Sequence, residues 1–99
     1  MYKDLINYEL ADGVTESQLL EVANRVYHEW MKDLDGFISW EINKISDNNY
    51  MDIVVWTSKE ASLDSEKSMD KCTSAGDWFS CYKPGSINSK FLYSVKNFE

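Results

Sequence analysis

Apolar and polar positions alternate along Leu5-Ile6-Asn7-Tyr8-Glu9-Leu10. Ile6, Tyr8 and Leu10 fall on one side and Leu5, Asn7 and Glu9 on the other, the period of a strand. Ala11-Asp12-Gly13 supplies a turn. The period then changes: Leu19, Ala23, Val26, Trp30 and Leu34 recur at helical spacing, flanked by Leu20, Tyr27 and Met31. This predicts a helix over 15–34, opened by a Thr15-to-Gln18 capping box and ended by Asp35-Gly36. Phe37 to Ile45 alternates again, with Ile38, Trp40 and Ile42 on one face. Asp47-Asn48-Asn49 reads as a hairpin turn. Tyr50 to Trp56 is a strand with apolar side chains on both faces, as expected where both faces are covered. Thr57-Ser58-Lys59-Glu60 fits a second capping box. The helix it opens has an inner stripe of small residues, Ala61, Ser65, Ser68 and Cys72. It is interrupted near Thr73–Gly76, resumes over 77–82 and stops at Lys83-Pro84-Gly85. Phe91, Tyr93 and Val95 alternate in a last strand.

The order β-α-β-β-α-β is the split unit of ferredoxin-like folds, an α+β class with a four-stranded antiparallel sheet. Both helices then cover one face of the sheet. The other face carries enough apolar residues to form a large patch, which monomers avoid. A second copy of the chain is the simplest cover.

Two segments sharpen this. Asp33-Leu34-Asp35-Gly36-Phe37-Ile38 and Asp52-Ile53-Val54-Val55-Trp56-Thr57-Ser58-Lys59-Glu60-Ala61 resemble the entry to strand two and the strand-to-helix junction of the dimeric α/β-barrel superfamily. The chain looks like its antibiotic-biosynthesis-monooxygenase-type branch. The resemblance implies one ferredoxin-like domain over 1–99 that pairs into a dimeric α/β barrel. Members include cofactor-independent monooxygenases acting on polycyclic quinone precursors, haem-degrading monooxygenases and proteins without known activity. The haem-degrading enzymes carry an Asn in strand one and a Trp and a His on helix two. Asn7 matches the first, but the other two positions fall on Ser65 and Ala75, so haem degradation is not expected, and no cofactor is.

Composition narrows the partners. A net charge of −7 over 99 residues repels phosphate and anionic lipid, so neither nucleic acid nor a membrane surface is an expected partner. No apolar run approaches the roughly 20 residues of a membrane span. Met1-Tyr2-Lys3-Asp4 shows no basic region leading into an apolar core, so a soluble cytoplasmic protein is expected. Cys72 and Cys81 match no zinc or C-x-x-C spacing; they read as free structural thiols, with a disulfide as the minor alternative. The single histidine, His28, shares the polar helical face of Ser17, Glu21 and Asn24, and no metal site is expected.

The candidate ligand pocket is Asn7, Trp56, Ala61, Ser65, Ser68, Cys72 and Trp78. Asn is disfavoured in strands, so Asn7 either binds a ligand carbonyl or is satisfied by backbone groups. The small stripe of helix two means either close approach to the sheet or a remaining cavity. The four tryptophans would wall a planar substrate or serve packing alone. A neutral or weakly polar ligand is expected, because no Lys or Arg is obviously placed inside. The leading reading is binding of an apolar or aromatic small molecule, extending to cofactor-independent monooxygenase chemistry. The rival is a non-catalytic dimeric assembly or regulatory module. Residues that would carry catalysis are not identifiable at this level.

Overall fold

A computed structural model describes all residues 1–99. Four strands, β1 (Tyr2–Glu9), β2 (Phe37–Ser46), β3 (Asn49–Trp56) and β4 (Asn88–Tyr93), form one antiparallel sheet in the order β2-β3-β1-β4. Helices α1 (Glu16–Glu29), α2 (Lys59–Lys67) and α3 (Ala75–Ser80) complete the order read from the sequence. No helix is long and apolar enough to cross a membrane.

Local chemistry sets the element ends. The Thr15 hydroxyl accepts from the Gln18 N–H, and the Gln18 side chain accepts from the Thr15 N–H, so the first capping box closes as expected. The second does not. The cap is Ser58, whose hydroxyl accepts from the Ala61 N–H at 3.1 Å, which leaves Glu60 one position too early to close a box. Helix α1 is shorter than its periodicity predicts. Trp30 leaves helical geometry at φ −146°, ψ −58°, and a 3₁₀ turn over Met31–Asp33 follows. That departure buries both Trp30 and Met31. The hairpin turn is the two residues Asp47-Asn48, with Asn48 at φ 62°.

A bulge changes the parity of β2. Phe37 lies opposite Trp56 and Ser39 opposite Val55, leaving Ile38 without a partner. Phe37 and Trp40 therefore both face the helices, and Ile38, expected on the face of Trp40 and Ile42, is exposed. Strand β4 begins earlier than expected because Asn88 to Lys90, poor strand formers, pair with Leu5 to Asn7 of β1.

The core lies between sheet and helices. Tyr2, Tyr8, Tyr50, Val54 and Trp56 of the strands meet Leu19, Val22, Ala23 and Val26 of α1. The opposite face presents Leu5, Met51, Ile53 and Val55, all half-buried, and no helix covers it. β4 is covered on neither side: Phe91 and Tyr93 reach the helix side but stay exposed.

Gly36 fixes the junction between β2 and α2. Its φ is +79°, and a β-carbon there would sit 2.6 Å from both the Ala61 Cβ and the Thr57 Oγ1. The Thr57 N–H also donates to the Gly36 carbonyl at 2.8 Å. Gly36→Ala should therefore lose about 2–4 kcal/mol of unfolding free energy in urea titration, from combined backbone strain and clash.

Candidate functional site

A cavity of about 220 Å³ lies between the helix-facing side of the sheet and the three helices. Its floor is Asp4 and Ile6 of β1, Trp40 of β2, and Asp52, Val54 and Trp56 of β3. Trp30 and Met31 close it at the end of α1. Ser62 and Ser65 of α2, Met69 and Cys72 of the connection, and Trp78 of α3 form its roof. Glu66, Phe79, Ile87 and Ser89 line it too and are exposed, so they mark the mouth.

Strand alternation delivers the polar floor. In β3 the residues Tyr50, Asp52, Val54 and Trp56 all face the helices and are buried. Asp52, only 1% exposed, accepts from the Tyr8 hydroxyl at 2.7 Å on Oδ1 and from the Trp40 indole N–H at 3.1 Å on Oδ2. Burial pushes its carboxyl up to about 6, and the two donated hydrogen bonds hold it from going further. Burial also drives the Tyr8 and Tyr82 phenols well above the ordinary range, with the Asp52 charge adding to both. Neither phenol ionises near neutrality, and the Tyr8 hydroxyl acts as a donor to Asp52. A second carboxylate, Asp4, accepts on Oδ2 from the Trp56 indole N–H at 3.0 Å and the Ser62 hydroxyl at 2.6 Å.

Aromatic rings hold these groups in place. Tyr8 packs on Tyr82 with centroids 4.4 Å apart and on Tyr50 at 6.1 Å. Trp78 meets Trp40 edge-on at 5.2 Å and Tyr82 at 5.4 Å. Such geometries add specificity beyond area burial. The Trp30 indole N–H donates to Ser68 at 3.2 Å, tying α1 to the end of α2.

Of the pocket residues expected from sequence, Trp56, Ser65, Cys72 and Trp78 line this cavity. Asn7 does not. It lies on the opposite sheet face, where its amide donates to Asn49 Oδ1 at 3.1 Å and the Tyr50 carbonyl at 2.9 Å. Ala61 is spent on the contact with Gly36, and Ser68 on Trp30. The interruption expected near Thr73–Gly76 is also displaced. The helix breaks over 68–74, Gly76 sits inside α3 without positive φ, and the connection is tied to α1. Glu29 accepts from Thr73 at 2.8 Å and Ser74 at 3.0 Å, and Arg25 donates to Asp77 at 3.0 Å. Sequence reasoning missed Asp4, Asp52 and Ser62. The signal for Asp52 was present: one acid on a face otherwise made of Tyr50, Val54 and Trp56.

No protein-family model matches the chain, and no curated protein matches its sequence. Solved structures do match its fold. The monooxygenase from the gene ActVA-Orf6 of Streptomyces coelicolor, solved with nanaomycin D, superposes with TM-score 0.78 at 16% identity, over 99% of this chain and 90% of that one. SnoaB, a cofactor-independent oxygenase from Streptomyces nogalater, gives 0.75 at 15% identity, over 97% and 95%. A dimeric ferredoxin-like protein from an uncultured marine organism gives 0.66 at 16% identity, over 99% and 90%. The α+β ferredoxin-like architecture is thus shared with monooxygenases of this type across nearly the full length.

Asp52 makes stability depend on pH with a definite sign. Its folded value lies above its ordinary 3.8, so it stabilises below about pH 4 and that contribution is lost as pH rises through about 6, roughly 3 kcal/mol in all. Tyr8→Phe removes a hydrogen bond that lowers the Asp52 value. The variant's stability deficit should grow from about 1 kcal/mol at low pH to about 2–3 kcal/mol at slightly alkaline pH. Unfolding free energies measured across that range test this; a deficit that does not change with pH contradicts it.

Proposed function

We propose that this cavity binds a planar, largely apolar small molecule and that the protein acts as a cofactor-independent monooxygenase on it. The observation that carries this reading is Asp52, a carboxylate buried in an aromatic-walled cavity, aligned by Tyr8 and Trp40 and held near 6. A base in that range is half-matched to neutral pH, where general bases work best. The fold shared with known oxygenases supports the reading.

The chemistry needs only the substrate and dioxygen. Asp52 accepts a proton from an activated CH₂ group, such as one flanked by aromatic rings and conjugated to a carbonyl. The carbanion gives one electron to O₂, and the radical and superoxide combine to a peroxide anion. Protonated Asp52 returns its proton, and the hydroperoxide loses water to leave a carbonyl. One oxygen atom enters the product and the other leaves as water. The apolar walls favour this step by excluding water from the carbanion.

The same reading includes a homodimer through the uncovered sheet face, where Leu5, Met51, Ile53 and Val55 would be shielded. An interface of that kind buries on the order of 2,000 Å². Sedimentation equilibrium at micromolar concentration should give twice 11.5 kDa; a clean monomer contradicts it.

Anthrone is the probe for the reaction. The protein should accelerate its conversion to anthraquinone with matching oxygen uptake, with the rate falling as pH drops below about 6. Asp52→Asn should lower the rate by on the order of 100-fold, within the usual range for a lost general base, while anthrone still quenches tryptophan fluorescence. A variant as fast as wild type removes Asp52 from the mechanism.

A further inference from the structure

We infer that the natural ligand of this cavity carries a positive charge, an organic ammonium group beside or upon its aromatic body. This rests on the reading of the cavity as a small-molecule site and names the class of molecule it selects.

The charges on the cavity wall are all of one sign. Asp4, Asp52 and Glu66 line it, and no Lys, Arg or His does. Nor does the chain neutralise these acids from elsewhere. Its ion pairs engage Glu9, Glu16, Asp33, Asp64 and Asp77, and none of the three. Asp4 and Asp52 receive only neutral donors, from indole N–H, phenol and hydroxyl groups. Asp4 lies opposite Val54 in the β1–β3 ladder, so Asp52 is its diagonal neighbour on the same face, roughly 7–8 Å away. An anionic ligand would be repelled by both, and a neutral one would leave them without a counter-charge in a drier site. Desolvated charge without a partner is costly.

The rest of the wall suits a cation. All four tryptophans of the chain, Trp30, Trp40, Trp56 and Trp78, line the same cavity. The face of an aromatic ring attracts a cation, and tryptophan does so best. Three of the four indole N–H groups are anchored on Ser68, Asp52 and Asp4, which fixes the rings before any ligand arrives. Glu66 at the exposed mouth and the net charge of −7 draw cations toward the opening. The sequence pointed to a neutral ligand because no basic side chain was expected inside. The structure keeps that absence and adds the acids of the wall, buried Asp52 and half-buried Asp4 among them.

Phenyltrimethylammonium and its neutral isostere tert-butylbenzene separate charge from shape. Both are titrated against tryptophan fluorescence, with calorimetry for the cation, near neutral pH and low salt. The cation should bind on the order of tenfold tighter or better. Asp4→Asn should remove most of that preference while leaving tert-butylbenzene within about twofold; Glu66→Gln, an exposed position, should give a smaller loss that added salt mimics. Should Asp4→Asn fail to fold, Glu66→Gln and acidification through the Asp52 transition carry the test, each weakening the cation alone. If tert-butylbenzene binds and the cation binds no tighter, the charge inference is overturned and the small-molecule site stands. If neither probe binds, the site itself is overturned and this inference with it.

Discussion

A carboxylate held out of water governs this structure. Asp52 cannot be buried at 1% exposure without partners, and the partners it has fix what surrounds them. Tyr8 must bring its hydroxyl to Oδ1, which lays its ring, itself fully buried, against Tyr50 and Tyr82. Trp40 must aim its N–H at Oδ2, which stands its ring edge-on to Trp78 and so positions α3. The cavity is the space these constrained rings enclose. A leucine at position 52 would remove the desolvation cost and release every one of those orientations, which is the sense in which a buried polar group specifies rather than stabilises.

The small residues of α2 serve both purposes that their size allows, close approach at one position and cavity lining at others. At its start Ala61 lies against Gly36, where not even a methyl group can be added, so helix and sheet approach closely. Ser62 and Ser65, both buried, instead line the helix side of the cavity. Their hydroxyls are engaged: Ser62 donates to Asp4 at 2.6 Å, and Ser65 donates to the Ser62 carbonyl at 2.6 Å.

Most of the architecture was legible because it rests on period and punctuation. The β1 faces, the Thr15 capping box, the Asp47 hairpin and the element order all follow from local chemistry that tertiary packing did not override. What was not legible depends on single residues that alter parity or direction. Ile38 is misplaced because a bulge inserts one residue into β2, and no composition signal marks it. The early end of α1 at Trp30 is decided by distant burial, with the indole reaching Ser68. Asn7 was correctly set apart from Ile6 and Tyr8, yet with apolar residues on both sheet faces the sequence could not say which face met the helices. The acids were overlooked for a related reason. Asp4 and Asp52 look like ordinary surface residues until strand pairing puts them diagonally beside each other in a cavity walled by tryptophan.

The central claim is that Asp52 is a water-excluded base poised near neutrality inside an aromatic cavity. Carbon-13 NMR of the aspartate side-chain carboxyls, assigned by comparison with Asp52→Asn, measures it directly. The account predicts a carboxyl resonance that titrates near 6 and is missing from the Asp52→Asn spectrum. An Asp52 midpoint at or below about 4, the value of a solvated aspartate, would mean that water reaches it freely, and the cavity described here would not be the site of such chemistry.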